Sequence, residues 1–263
     1  MADLFDYMDA ADHFAAPAAQ PENLFYIPPG AAFADLIAKQ LMAETAAEPV
    51  ALPDYVLMVP NRRSAKVMRD AFLRQSNGAV TMLPTIRALG EADEDELAIY
   101  GAGGEQAALD LPPSIPDLQR KLLLTRLIMN RPDHKGDKPT ADQAARLAGE
   151  PARFLYQVQT EHCKLDDLKA LVPAAFAEHW QLTLEFLQIL TLHWPAILET
   201  HQVSDRAMRR NALIAAQIDL WRDNPPAAPV IIAGSTGTFP ALRDFMKAVL
   251  AMPRGRGVLL RLL

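Results

Sequence analysis

The chain has 263 residues, 50% hydrophobic and 22% charged, the balance of a globular protein with a sizeable core rather than of a disordered or fibrous one. Lys and Arg number 26 against 32 Asp and Glu, a net charge of −6, so no overall basic field attracts nucleic acid and any such contact must be local. A single cysteine, Cys163, excludes an intramolecular disulfide and any multi-cysteine zinc or iron–sulfur site, and neither metal nor cofactor is expected.

Residues 1–20 carry Asp3, Asp6, Asp9 and Asp12 with no Lys or Arg, so they lack the positive region of a secretory signal and read as a disordered leader. No stretch approaches about 18 consecutive apolar residues, which removes a membrane span and makes a soluble, cytoplasmic protein the expectation. Leu24 to Ile27 reads as a short strand closed by Pro28-Pro29-Gly30. Helical spacing follows over residues 31–41, at Phe33, Leu36, Ile37 and Leu41. The unit recurs: Tyr55 to Val59 is a continuous apolar run ending at Pro60, and a helix is expected from about Ser64 to Arg74 with Val67, Met68, Ala71 and Phe72 inward. Continuous apolar strands joined by helices imply an α/β fold with a parallel sheet covered on both faces. A third strand is expected over Ala79 to Leu83, stopped by Pro84.

From about Pro116 to Asn224 the apolar residues recur at three and four, the texture of a helical insertion. Its first helix starts near Pro116, carries Leu118, Leu122 and Ile128 inward, and ends by Pro132. Thr140 with Gln143 forms a capping-box pattern, and Pro151 must kink or split the helix that follows. A third helix over residues 177–198 has Trp180, Leu184, Leu187 and Trp194 in its stripe. A fourth, after Ser204, places Met208, Asn211, Ile214, Ile218 and Trp221 on one face. Pro225 to Pro229 close the insertion, Val230 to Ala233 reads as a buried strand, and Gly234 to Thr238 leads into a helix from about Pro240 to Met252. The chain stops in a fifth apolar run, Gly257 to Leu263, with no helix after it to cover the sheet, the ending of a truncated piece. The expected organisation is a leader (1–20), a discontinuous α/β domain (21–112 and 225–263) and an all-helical insertion (113–224).

Loops between a strand and a helix N-terminus favour anions through free backbone N–H groups and the helix dipole. Two loops have that position: Pro28, Pro29 and Gly30 with the two alanines after them, and Gly234, Ser235, Thr236 and Gly237 with Thr238. A working P-loop needs G-x-x-x-x-G-K-[ST]. Counting from Gly30, the last three of those positions fall on Asp35, Leu36 and Ile37, and the nearest lysine is Lys39. The first loop therefore has the shape without the catalytic residues. The second also lacks a lysine, and a tight turn into a helix explains its glycines as well as phosphate binding does. Its order, G-S-T-G, also misses the G-x-S-x-G of a nucleophile elbow.

The basic segment is the nucleic-acid candidate. Arg62, Arg63, Lys66, Arg69 and Arg74 follow the second strand and face only Asp70 locally, and Arg62 and Arg63 stand at the carboxyl end of a parallel strand, the edge where α/β sheets bind ligands. A solvated helix face with i,i+4 pairs accounts for the same residues. Glu91, Asp93, Glu94, Asp95 and Glu96 read as a solvated acidic run, and Glu161-His162-Cys163 as an ordinary surface segment whose adjacent side chains point apart. No pair of histidines has the i,i+4 spacing of a zinc helix.

Six ordered segments carry a resemblance: FYIPPGAAFADLIA from Phe25, LMVPNRRSAKVMRDAFL from Leu57, MLPTIRALGEADEDEL from Met82, DLPPSIPDLQRKLLLTRLI from Asp110, the long run from Gln157 to Leu190, and NPPAAPVIIAGSTGTFPA from Asn224. Together they resemble the N-terminal part of the AddB subunits of bacterial AddAB helicase-nucleases, over about residues 24 to 253. The resemblance implies a RecA-like first domain of the superfamily 1 helicase type, interrupted by a helical insertion. It sets Pro28-Pro29-Gly30 where a helicase has its P-loop and Gly234 to Thr238 where it has Mg²⁺-binding carboxylates, none of which is present. It sets Arg62 and Arg63 near the position of a motif that touches single-stranded DNA. It thus implies an inactive helicase-like scaffold that supports an AddA-type partner motor and guides DNA in double-strand-break repair. A complete AddB continues into a second helicase-like domain and a nuclease with a cysteine-held cluster, so this chain is expected not to cut DNA, and Cys163 is not a cluster ligand. Two other readings stay open: a free-standing α/β protein binding nucleotide or phosphate at Gly234 to Thr238, and a structural partner-binding module.

Overall fold

A computed structural model describes residues 22–89, 109–130, 138–163 and 189–260. The leader, the acidic run at residues 91–96, Pro132, the first part of the third expected helix with Trp180, Leu184 and Leu187, and the last three residues lie outside the described residues. The chain divides into two compact units. The described part of the first comprises residues 22–87, Ala227–Ser235 and 249–260; the second is drawn from residues 88–226 and 236–248.

The first unit is an α/β layer. Its strands are β1 (Leu24–Ile27), β2 (Val56–Val59), β3 (Thr85–Ala88), β4 (Val230–Ala233) and β5 (Gly255–Leu260), in the order β1-β5-β4-β2-β3 and all parallel. Register is set by Leu24 opposite Gly257, Val230 opposite Gly255 and Val56 opposite Val230. β4 is buried along its whole length and β2 nearly so, which is why both read as continuous apolar runs rather than alternating ones. Helices α1 (Phe33–Glu44) and α2 (Arg62–Gln75) share one face of the sheet. Ala34, Ile37, Ala38 and Leu41 of α1 and Ala65, Met68, Ala71 and Phe72 of α2 close over Leu57, Val59, Ile86, Ile231 and Ala233. The alternate residues Met58 and Ile232 are buried on the other face.

The second unit contains α3 (Asp117–Met129), α4 (Ala141–Leu147), α5 (Gly149–Thr160), a π-type turn at Ile189–His193, α6 (Trp194–Thr200) and α7 (Arg206–Asp223). It also takes in most of α8 (Pro240–Ala251). The capping box at Thr140 forms: the Gln143 backbone N–H donates to Thr140 Oγ1 at 3.4 Å, and the Thr140 N–H donates to Gln143 Oε1 at 3.0 Å. The expected split falls at Ala148, so Pro151 sits in the first turn of α5, where its missing N–H breaks no helical bond. The segment that leads into α3 pairs with the one that leads into α7, the Ser204 N–H donating to the Pro113 carbonyl at 2.8 Å and the Ile115 N–H to the Ser204 carbonyl at 2.9 Å. Trp194 and Trp221 are both buried, Trp221 with its ring centroid 5.6 Å from that of Phe245.

Several sequence expectations need correction. The third strand lies after Pro84, not before it; Val80 is fully exposed, and the Thr85 N–H donates to the Tyr55 carbonyl at 2.9 Å. Pro84, lacking an N–H, serves as the entry to the strand rather than its end. Leu36, Val67, Leu118, Leu122 and Met208 are exposed; the buried stripes keep expected residues such as Ile37, Met68, Phe72, Ile128 and Ile214 and are completed by small or polar neighbours such as Ala34, Ala65, Thr125 and Arg210. The fifth strand begins at Gly255, two residues before the expected start, and lies between β1 and β4 in the sheet. Gly255 and Gly257 face a close approach: a side chain on Gly255 would run into the Val249 carbonyl, and one on Gly257 would stand 2.6 Å from Leu24 Cδ1.

Candidate functional site

The chain progresses one way across the sheet from β2 to β3 and the other way from β4 to β5, so the connections diverge between the neighbours β4 and β2. Such a divergence opens a crevice at the carboxyl ends of the strands, the usual ligand position of an open α/β sheet. The segments that border it are Gly234 after β4 and Pro60 and Asn61 after β2.

Phe33 stands beside this position. A Cβ placed on Gly234 would lie 3.4 Å from Phe33 Cε1, 3.6 Å from Phe33 Cζ and 3.9 Å from Pro60 Cδ. An aromatic ring from the first residue of α1 therefore stands against the turn after β4, and the same ring packs on the core of the sheet. Gly234 has φ of +74° and donates its N–H to the Val258 carbonyl at 2.8 Å, so its glycine is required by the turn itself. Ser235 is buried, Thr236 is exposed, and Gly237 is buried with φ of +67°. A Cβ on Gly237 would meet Arg243 Cγ at 2.6 Å.

The loop after β1 is different. Pro28, Pro29 and Gly30 are exposed, Gly30 has φ of +85°, and nothing lies within 4 Å of its missing side chain. The Ala32 cap of α1 contributes no side-chain hydrogen bond. Asp35, at the position where a P-loop has its second glycine, takes a bidentate pair from Arg74: Nε to Oδ1 at 2.9 Å and Nη2 to Oδ2 at 3.0 Å. The Arg74 guanidinium, assisted by Gln75, holds the Asp35 carboxyl below the usual carboxylate range against a smaller opposing effect of burial. Arg74 thus leaves the basic set counted from the sequence and becomes a clip between α1 and α2.

The remaining cations stand on the solvent face of α2. Asn61 caps the helix, its Oδ1 accepting from the Ser64 N–H at 2.8 Å and from Ser64 Oγ at 3.1 Å, so the helix begins at Arg62, two residues before the expected start. At 100° per residue Arg62, Lys66 and Arg69 fall within about 60° of one another, with Arg63 beside them and the buried stripe opposite. All four are exposed, and among the described residues Arg63, Lys66 and Arg69 form no ion pair. The first turn of α2 has no acidic residue, so its cations stand at the positive end of the helix dipole with no carboxylate in that turn. A helix that places cations where its own dipole disfavours them is balanced when an anion lies beside that end. The expected cluster is therefore brought together, at the edge expected for it.

Sequence reasoning missed the place of Phe33 against the Gly234 turn, since its spacing reads only as core. It also missed the Asn61 cap, although Asn three residues before Ser at a strand end is a start signal. Glu161 caps the C-terminus of α5, followed by His162 at φ of +54° and the exposed Cys163. Among the described residues no group of His, Cys, Asp or Glu could hold a metal ion, and no helix is long and apolar enough to cross a membrane. Comparison with protein-family models finds none that matches the chain, and comparison with curated proteins finds no match.

Proposed function

We propose that the first unit is a RecA-like domain resembling the helicase-like N-terminal domain of AddB subunits. In this reading its nucleotide site is silent, its α2 guides a DNA strand, and an AddA-type partner supplies ATP turnover during double-strand-break repair in the cytoplasm. The strand order, with β5 between β1 and β4, is consistent with a RecA-like sheet. The observation that carries the reading is the exposed stripe of Arg63, Lys66 and Arg69 at the ligand edge, beside two phosphate-loop positions that have no lysine. At one of these Phe33 stands against Gly234. The stripe suits a phosphate backbone and not base edges, because its cations are spread along a helix face with no side-chain amide among them.

The reading predicts that single-stranded DNA binds with strong salt dependence and little sequence preference. Changing Arg63, Lys66 and Arg69 together to Ala should flatten the log–log salt slope by about 2, at about 0.7 per lost phosphate contact on a single strand. An unchanged slope and affinity would return these residues to an ordinary solvated face. Purified chain should show no DNA-stimulated ATPase, and turnover that survives repurification and disappears on altering Gly30 would refute the silent site. The rival reading, a phosphate cradle at Gly234 to Thr238, is disfavoured by Arg243 and Phe33 standing at the two glycines.

A further inference from the structure

Asparagine stands at positions 23, 61, 77, 130, 211 and 224, and only Asn77 is followed by glycine. The fold treats these side chains differently. Asn23 Nδ2 donates to the Leu250 and Gly255 carbonyls, Asn61 Oδ1 caps α2, and Asn211 Nδ2 donates to the Gln159 carbonyl. Asn224 precedes Pro225, which has no N–H to react.

Asn77 and Gly78 follow the Ser76 cap of α2. Both are exposed, with φ of +49° and +82°, and nothing lies within 4 Å of the side chain that Gly78 lacks. Among the described residues no hydrogen bond holds the Asn77 side-chain amide or the Gly78 N–H. The main-chain bonds across this turn run from the Asn77 N–H to the Arg74 carbonyl at 3.3 Å and from the Ala79 N–H to the Ser76 carbonyl at 2.9 Å. Val80 beyond it is fully exposed. A surface turn held so lightly opens at small cost, and opening frees ψ of Asn77 to bring the Gly78 nitrogen onto the Asn77 side-chain carbonyl carbon.

We propose that Asn77 is a site of spontaneous deamidation, which adds a negative charge just beyond the C-terminal end of α2. The Gly78 nitrogen gives up its proton and bonds to Asn77 Cγ; the Cγ–Nδ2 bond breaks, and ammonia leaves with that proton. The resulting five-membered succinimide takes up one water. Entry of water at Cγ gives an aspartyl residue, and entry at the main-chain carbonyl carbon gives an isoaspartyl residue whose backbone runs through Cγ. The balance is amide and water to carboxylic acid and ammonia, with no redox partner. Glycine matters because a Cβ at position 78 would crowd the attacking nitrogen and restrict its backbone. The new carboxylate stands three residues beyond Arg74, at the helix end where the dipole disfavours an anion. None of this chemistry depends on α2 binding DNA.

The test is incubation of the full chain at mildly alkaline pH, followed by peptide mapping with mass detection, beside a synthetic peptide of residues 72–82. The fragment carrying Asn77 should gain about 1 Da, an amide exchanged for a carboxyl, and should resolve into two products of equal mass. Its rate should lie within about tenfold of the free peptide, since the turn opens easily. Fragments carrying Asn23, Asn61 and Asn211 should keep their mass over the same period. Gly78→Ala should slow the gain severalfold. Asn77→Gln, whose longer side chain must close a six-membered ring and which leaves the glycine turn intact, should abolish it. A folded chain whose residue 77 keeps its mass while the free peptide converts overturns the proposal. So does a gain that appears first at another asparagine, or one that persists undiminished in Gly78→Ala or Asn77→Gln.

Discussion

Where α1 and α2 close over the sheet, every residue of the buried cluster is Ala, Val, Ile, Leu, Met or Phe. The helices of the second unit instead converge on polar groups. Asp205 is 1% exposed, and its Oδ2 accepts from Gln159 Nε2 at 2.6 Å and from Trp194 Nε1 at 2.8 Å. Its Oδ1 lies 2.9 Å from Arg120 Nε, an ion pair by distance whose N–H is not aimed at the oxygen, so the attraction is Coulombic rather than a directed hydrogen bond. One carboxylate at the start of α7 thus joins α3, α5 and α6. Nearby, buried Arg210 donates to Tyr156 Oη and Thr160 Oγ1, both at 3.1 Å, and stacks 4.3 Å over the Phe239 ring. A dry core draws stability from area and is forgiving of shape. A polar hub specifies which helices meet, and is costly once one member is removed.

The comparison is broken most directly at the hub. Asp205→Ala leaves Arg120 as a buried cation and strands two donors, and should destabilise by about 3–5 kcal/mol. Asp205→Asn should lose less, because its amide oxygen still accepts from Trp194. Amide hydrogen exchange localises the effect: protection should fall in α3, α5 and α7 and persist in α1 and α2. Equal loss throughout would mean that the two cores unfold as one.

In the first unit the matching cut is Leu57→Ala. Leu57 is fully buried on the helix-covered face, so truncation should cost about 2–5 kcal/mol through lost burial and the cavity left behind. Denaturant unfolding should give the value, with exchange in α1 and α2 rising first. A cost below that range would show that this core can collapse around the gap.

These two cores also explain what the sequence disclosed. Strands β1, β2 and β4 and the ends of α8 were legible because continuous apolar runs and Pro or Gly punctuation are local signals. The basic cluster was legible for the same reason, since Arg62, Arg63, Lys66 and Arg69 lie close together in sequence at one helix start. Asp205, Arg210 and Gln217 were not, since a polar residue on a helix reads as solvent-facing until its partners arrive from elements 46 to 54 residues away, as Gln159, Tyr156 and Thr160 do. Phe33 was misjudged in kind rather than place: nothing local distinguishes an aromatic ring that packs only in a core from one that also stands against the turn after a neighbouring strand. β3 was misplaced because the run before Pro84 is as apolar as the strand after it, and only pairing with β2 decides between them.

Arg210 sharpens the comparison at a smaller scale. Among the described residues no carboxylate pairs with it; its charge is met by an aromatic face and two hydroxyls. Arg210→Lys retains the charge but loses the planar stack and the divergent donors, and should cost about 1–3 kcal/mol. Arg210→Met, which removes the charge and keeps much of the volume, should cost less than the lysine variant. If Lys is the better substitute, the site needs a cation as such and the stacking argument fails.

The smallest effect is expected at the polar clip outside the dry core. Asp35 and Arg74 join α1 to α2 by the same pair of residue types as Asp205 and Arg120, but here the side chains are 26% and 54% exposed rather than 1% and 16%. Solvent and salt screen the exposed pair, and its contribution should be slight at ordinary ionic strength. Its signature is in pH. Arg74 holds the Asp35 carboxyl below its ordinary value of 3.8, so the folded state binds that proton less readily than the unfolded chain. The stabilisation is therefore fully present above the unfolded value and is lost as pH falls through the lower folded one. Unfolding curves of the parent chain and Asp35→Asn should differ by a constant amount from neutral pH down to about 5, then converge as Asp35 takes up its proton. Added salt should shrink that difference at neutral pH. A gap that survives both acid and salt would mean that Asp35 acts by packing, and that exposure is not what separates the two Arg–Asp pairs.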